Sequence, residues 1–121
     1  MQHNFKELKI WSRSMDVTTE IYNISKKFPY DERFGLTAQL RKAAVSIPSN
    51  IAEGAGRNTN PDFSKFLGYA NGSSCEAMTQ LILANRLDMV SEEKIKPILK
   101  ELDELQKMTC RFQEMLSKKA A

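Results

Sequence analysis

The chain is 121 residues long, 41% hydrophobic and 27% charged, with a formal net charge of +3. It is therefore expected to form one domain of ordinary globular composition, large enough for a core without disulfide or metal staples. The mild charge sets it apart from strongly basic nucleic-acid-binding domains, and no apolar run approaches the roughly 20 residues that a membrane span needs.

The amino terminus, MQHNFKELKIWSR, has no apolar stretch ahead of its charges and does not read as a secretory signal. Cys75 and Cys110 are isolated, with no CxxC spacing and no histidine nearby, so free thiols in a reducing cytoplasm are expected. The first helix is predicted over about residues 5–28. Leu8, Trp11, Met15 and Tyr22 form one apolar track, and Ile10, Val17, Ile21, Ile24 and Phe28 form a second. Pro29 ends it, because its ring disfavours a helical Phe28 and it has no N–H to donate. Residues 29–35 are a loop.

The second helix, about residues 33–56, contains the least charged long segment. From Leu36 to Arg57 only Arg41, Lys42, Glu53 and Arg57 are ionisable. Leu36, Leu40, Ile47 and Ile51 share one face. Beside them Gln39, Ser46, Asn50, Glu53 and Arg57 fall within roughly a 60° arc. Pro48 deprives the Ala44 carbonyl of its partner, so a kink is expected in the second helix there, its cost tolerable when the freed carbonyl finds a side-chain or water partner. Gly54 and Gly56 act as the stop signal, either being able to take the left-handed conformation. Asn60 is the expected cap of the third helix, about 61–88, with Pro61 and Asp62 suited to its first turn. Gly68 and Gly72 weaken that helix by roughly 1 kcal/mol each relative to Ala, which suggests a close approach by a backbone or by a ring such as Trp11. Ser91 caps the fourth helix, about 92–118, whose 13 charges in residues 91–119 mark it as the solvated one. Short loops make the expected fold all-α: a single up-down-up-down antiparallel four-helix bundle over residues 1–121.

Catalytic chemistry finds little to work with. The single histidine, His3, lies near the terminus, and neither Glu-x-x-His pairs nor a zinc ligand set is present. Ser91-x-x-Lys94 lacks any companion motif, and Thr59 stands where a dinucleotide loop would need its third glycine. No enzyme activity, cofactor or metal is expected. Glu53 and Arg57 are the only pair that a small-molecule enzyme could use, and no base, metal or nucleophile accompanies them.

Two polar features remain. The stripe Gln39, Ser46, Asn50, Glu53 and Arg57 reads as a hydrogen-bonded seam between helices or subunits, or else as an open ligand groove. Within it Glu53 and Arg57 can pair one turn apart, while Arg41 could meet Glu76 of the third helix. The fourth helix carries Lys96, Lys100, Lys107, Arg111 and Lys118 along one side, and Lys6, Lys9 and Arg13 form a smaller patch on the first. Either row can track a phosphate backbone. The competing reading is a wet helix face, with Asp103–Lys107 and Glu114–Lys118 as stabilising pairs. The scarcity of charge on the second and third helices predicts self-association through them.

The segment QLRKAAVSIPSNIAEGAGR, followed by Phe63, Phe66, Leu67, Ala70, Gly72, Ser73 and Glu76, resembles the bacterial four-helix-bundle proteins called 23S rRNA intervening-sequence proteins. The resemblance implies an antiparallel four-helix fold, ring-like homo-oligomers (pentamers among relatives) and genes often inserted within rRNA operons. A similar fold serves the accessory variability proteins of diversity-generating retroelements, which associate with nucleic acid. The expected role is thus a cytoplasmic, non-enzymatic, homo-oligomeric bundle associated with RNA or DNA, the alternative being a pure protein scaffold.

Overall fold

A computed structural model describes residues 3–120. It contains four α-helices: α1 Lys9–Ser25, α2 Leu36–Ala55, α3 Asn60–Arg86 and α4 Glu92–Ala120. Among the described residues there is no strand. Contacts between neighbours run in opposite senses along the chain. Thr18 meets Ala44 while Ser25 meets Arg41, and Ser74 meets Gln106 while Ser64 meets Gln113. Ser46 meets Ser73 while Gly54 packs on Phe63. The expected antiparallel four-helix bundle is therefore present, with one core.

That core is made by the faces the helical period selects. Ile10, Val17 and Ile21 come from α1, Leu40, Ile47 and Ile51 from α2, Phe63, Leu67 and Leu81 from α3, and Ile98, Leu102 and Leu116 from α4. Of the two tracks predicted for the first helix, the one with Ile10, Val17 and Ile21 is interior, while in the other Leu8 and Trp11 pack at the edge of the core. Met15 and Tyr22 of the other are 42% and 37% exposed, because α1 has neighbours on two sides and not three. Of the small buried hydroxyls, Ser14 donates to the Trp11 carbonyl at 2.7 Å and Thr109 to the Leu105 carbonyl at 2.8 Å, while the Thr37 Oγ1 has no partner among the described residues.

Several boundaries differ from expectation for identifiable reasons. The first helix does not begin at residue 5. A short 3-10 turn, Phe5–Glu7, is capped by Asn4, and Leu8 is extended (φ −81°, ψ 127°) before α1 starts. The cap of α3 is Thr59, not Asn60: its hydroxyl accepts from the Asp62 N–H at 3.2 Å, and Asn60 is already helical. Gly56 closes α2 at φ −83°, so no left-handed glycine is used; the positive φ among described non-glycine residues belongs to Asp88, at 59°, after α3. Gly68 and Gly72 have room beside them, where an added Cβ would meet only the end of Gln113 or nothing. Trp11 lies against Phe5 instead, its ring centroid 5.2 Å away.

The glycine that packing requires is Gly54. A Cβ there would sit 2.8 Å from the Phe66 Cβ and 2.9 Å from the Phe63 ring, so α2 and α3 close against each other over a bare backbone. Pro48 lies within a continuous α2. The Ala44 carbonyl that it leaves without an amide partner is met from α1, where the Thr18 hydroxyl lies 3.0 Å away and also 2.8 Å from the Ser14 carbonyl. One proton is shared between two acceptors, and the link ties α1 to the weakest turn of α2. Thr18→Val keeps the shape and removes that donor. It is expected to lower stability by about 1 kcal/mol with an unchanged denaturant slope, measured as a shift in urea midpoint.

Candidate functional site

The polar stripe of α2 faces the edge of α3. Gln39, Lys42 and Ser46 line one wall of an open groove of about 610 Å³, with Ser73, Glu76 and Gln80 opposite and Ala43 on its floor. At its centre the Ser73 hydroxyl lies 2.8 Å from that of Ser46, and the Asn50 amide donates to the Ser46 carbonyl at 2.8 Å and hydroxyl at 2.9 Å. Ser46, Asn50 and Ser73 thus form a half-buried hydrogen-bonded cluster. The ends of the stripe do not join it. Gln39, Glu53 and Arg57 are exposed, and the Arg57 guanidinium lies 4.6 Å over the Phe66 ring in place of the expected pairing with Glu53. Arg41 does not reach Glu76 either. It turns toward α1, donating through Nε to the Ser25 hydroxyl at 2.8 Å and lying 4.7 Å over Tyr22. Arg41 leaves the helix on the side facing α1, so a contact with α3 was out of reach from its register. The Gln80 Oε1 is shielded from solvent and has no partner among the described residues.

The second candidate surface is basic. Lys96, Lys100, Lys107, Arg111 and Lys118 are all exposed along α4. Of the two internal pairs expected there, Lys107–Asp103 forms at 3.1 Å; a Glu114–Lys118 pair is absent among the described residues. Lys6, in the 3-10 turn, and Lys9, at the start of α1, are exposed, whereas Arg13 is half-buried and committed. Its guanidinium bridges to Glu101 and Glu104 of α4 and lies 3.1 Å from the Met108 sulfur. The hydrogen bonds that Arg13 donates to Glu101 and then to Glu104 push its pKa above the ordinary value. The bridge clasps α1 to α4 while the Arg13 guanidinium is cationic and the two carboxylates are ionised. Arg13 therefore drops out of the basic patch. Lys9 instead joins Arg111, the two flanking one slot of about 340 Å³ with Ile10, Met108, Phe112 and Met115. Patches that look separate in sequence thus share one slot, and Phe112 is among the residues that line it. Sequence spacing carried no signal for this, since the two cations stand on the first and last helices.

Among the described residues no cluster of three or more metal-ligating side chains occurs, and no helix is long and apolar enough to cross a membrane. The exposed thiols of Cys75 and Cys110 are free. Sequence reading missed two further surfaces, the turn between α1 and α2 and a cleft between α1 and α4.

Fold and surfaces together define a class: an antiparallel four-helix bundle whose candidate sites are interaction surfaces on its outside. The profile of the 23S rRNA-intervening sequence protein family matches residues 6–111, and the chain belongs to that family. Among solved structures it is similar to a protein of unknown function from the S23 ribosomal protein family of Bacteroides thetaiotaomicron. The two share 22% identity over 86% of this chain and 97% of that one, with a TM-score of 0.79, which establishes a common fold. No curated protein sequence matches the chain.

Proposed function

We propose that this protein is a non-enzymatic, self-associating accessory bundle of the cytoplasm that presents a basic helix to RNA or DNA. The observation that carries self-association is the distribution of exposed side chains. Of the exposed residues of α2 only Lys42 and Glu53 are charged, and Val45, Tyr69, Ile82 and Leu83 on α2 and α3 are 40–49% exposed. The outside of α4 is mostly charged by comparison. A surface poor in charge and rich in large apolar groups marks a protein contact. A ring, five-membered as among the relatives, is the assembly this reading favours, because repetition multiplies a mildly basic face by the copy number. Nucleic-acid association draws support from the exposed row Lys96, Lys100, Arg111 and Lys118 and from the joining of Lys9 to Arg111. A protein scaffold without nucleic acid is the competing reading.

Sedimentation at micromolar concentration tests the assembly, with a mass several times that of the 13.8 kDa chain expected. Asn50→Ala removes the amide that orders Ser46, and it is expected to lower stability or dissociate the assembly by about 1–3 kcal/mol. Glu53→Ala, exposed in the single chain, is expected to act on the assembly alone. A monomeric parent overturns self-association. Variants with unchanged melting and mass move the groove out of the interface.

A further inference from the structure

We infer that the turn between α1 and α2 is a docking knob and that it seats in the α1–α4 cleft of a second copy of this chain. The inference rests on the self-association proposed above and goes beyond it by naming a contact of two unlike surfaces.

The knob is Tyr30, Arg33 and Phe34. Tyr30 is 74% exposed and Phe34 84%, the two most exposed of the large hydrophobic side chains described. A phenylalanine left in water forgoes the burial that a partner surface would give it. The turn is nevertheless built to hold these rings outward. Tyr30–Glu32 is a 3-10 turn, the Gly35 N–H donates to the Glu32 carbonyl at 2.9 Å, and the Glu32 carboxylate accepts from the Leu36 N–H at 3.1 Å, capping α2. Gly35 makes room for that cap, since a Cβ would meet the same carboxylate oxygen at 2.9 Å. The Arg33 guanidinium lies 3.6 Å from the Tyr30 ring centre and 4.7 Å from that of Phe34, with one N–H given to the Tyr30 carbonyl at 3.0 Å. Two rings and a guanidinium ordered before contact are the residue types and the rigidity of an interface hot spot.

The socket is a cleft of about 920 Å³ between the carboxyl-terminal half of α1, the α3–α4 turn and the start of α4. Ile24, Val90, Pro97 and Ile98 give it an apolar lining, and its charged residues are Glu20, Asp88 and Glu93 against Lys27 and Lys94. Carboxylates outnumber ammonium groups, which suits an entering guanidinium flanked by aromatic rings. The chain thus carries both halves of one complementary pair: apolar convex with a cation, apolar concave with surplus carboxylate. Its own knob does not fill its own cleft, because Phe34 remains 84% exposed. The proposed contact therefore runs from one copy to the next. Two unlike patches make a head-to-tail interface, which closes as a ring or extends as a filament.

The test uses the full chain with Cys75→Ser and Cys110→Ser as background. One preparation carries F34C and another K94C; they are mixed and exposed to oxidised glutathione. The expected result is a disulfide heterodimer of F34C with K94C, forming at least tenfold faster than either variant couples with itself. In parallel, F34A and R33A should each weaken association more than tenfold in sedimentation while helical content stays unchanged. A parent that assembles, with variants of equal affinity or no preferred cross-link, overturns the knob and leaves self-association standing. A parent that stays monomeric overturns both.

Discussion

Phe63→Ala is expected to lower the free energy of unfolding by about 3–5 kcal/mol, the largest loss from any single core truncation here. Phe63 is 1% exposed and sits where three segments converge. Its ring centre is 5.4 Å from that of Phe112 on α4 and 5.0 Å from that of His3, and its edge lies under Gly54 of α2. Removing it opens a cavity that a bare backbone on one side cannot fill. Gly54→Ala acts in the opposite direction, forcing a methyl into occupied space at a cost of about 1–3 kcal/mol. The two changes should therefore not add. The methyl introduced by Gly54→Ala takes up part of the space that Phe63 vacates. The double variant is expected to lose less than the sum, though the Phe66 Cβ keeps recovery incomplete. Urea denaturation of the four proteins measures this directly. A loss under about 1 kcal/mol for Phe63→Ala, or strict additivity, contradicts the packing described. Against a typical total of about 5–15 kcal/mol, the single truncation is enough to make the fold marginal.

Replacing Lys100, Lys107 and Arg111 by Gln is expected to reduce the salt dependence of RNA or DNA binding by about two to three units of logarithmic slope, each contacted phosphate contributing about 0.7 to 0.9. Glutamine is a good helix former, so helical content and oligomer mass should not change. Lys107 contributes the least of the three, since it must first leave Asp103; an exposed pair of that kind costs little to open. The control is Lys6→Gln with Lys9→Gln, leaving Arg13 untouched because its change would unfasten α1 from α4. Lys9 shares a slot with Arg111, so the control is expected to remove about one contact and not three. Absence of any shift with structured RNA or duplex DNA at low salt, where screening is least, ends the nucleic-acid reading and leaves the scaffold. Binding lost only in the control places the contact on α1.

By itself the sequence determined the number of helices, their order and most of their inward faces. Those follow from local rules: a 3.6-residue period, Pro29 as a stop, Pro61 in a first turn, short loops that force antiparallel neighbours. It also located the position where Pro48 would leave a carbonyl needing a partner, though not which residue would come. Tertiary structure decided everything that joins distant residues. Thr18 reaches Ala44 from another helix, and Gly54 is kept bare by Phe63 and Phe66. Arg13 is taken by Glu101 and Glu104, and Lys9 is brought beside Arg111. The polar stripe shows the division within one helix. Its angular clustering was legible, because it depends only on residue spacing. Its fate was not, because whether Arg57 pairs with Glu53 or lies over Phe66, and whether Arg41 turns toward α1 or α3, depends on what the neighbouring helix places within reach. The exposed turn at Tyr30 and Phe34 was the hardest to see. A loop has no period from which burial can be inferred, and only the folded chain shows that those rings stay largely exposed.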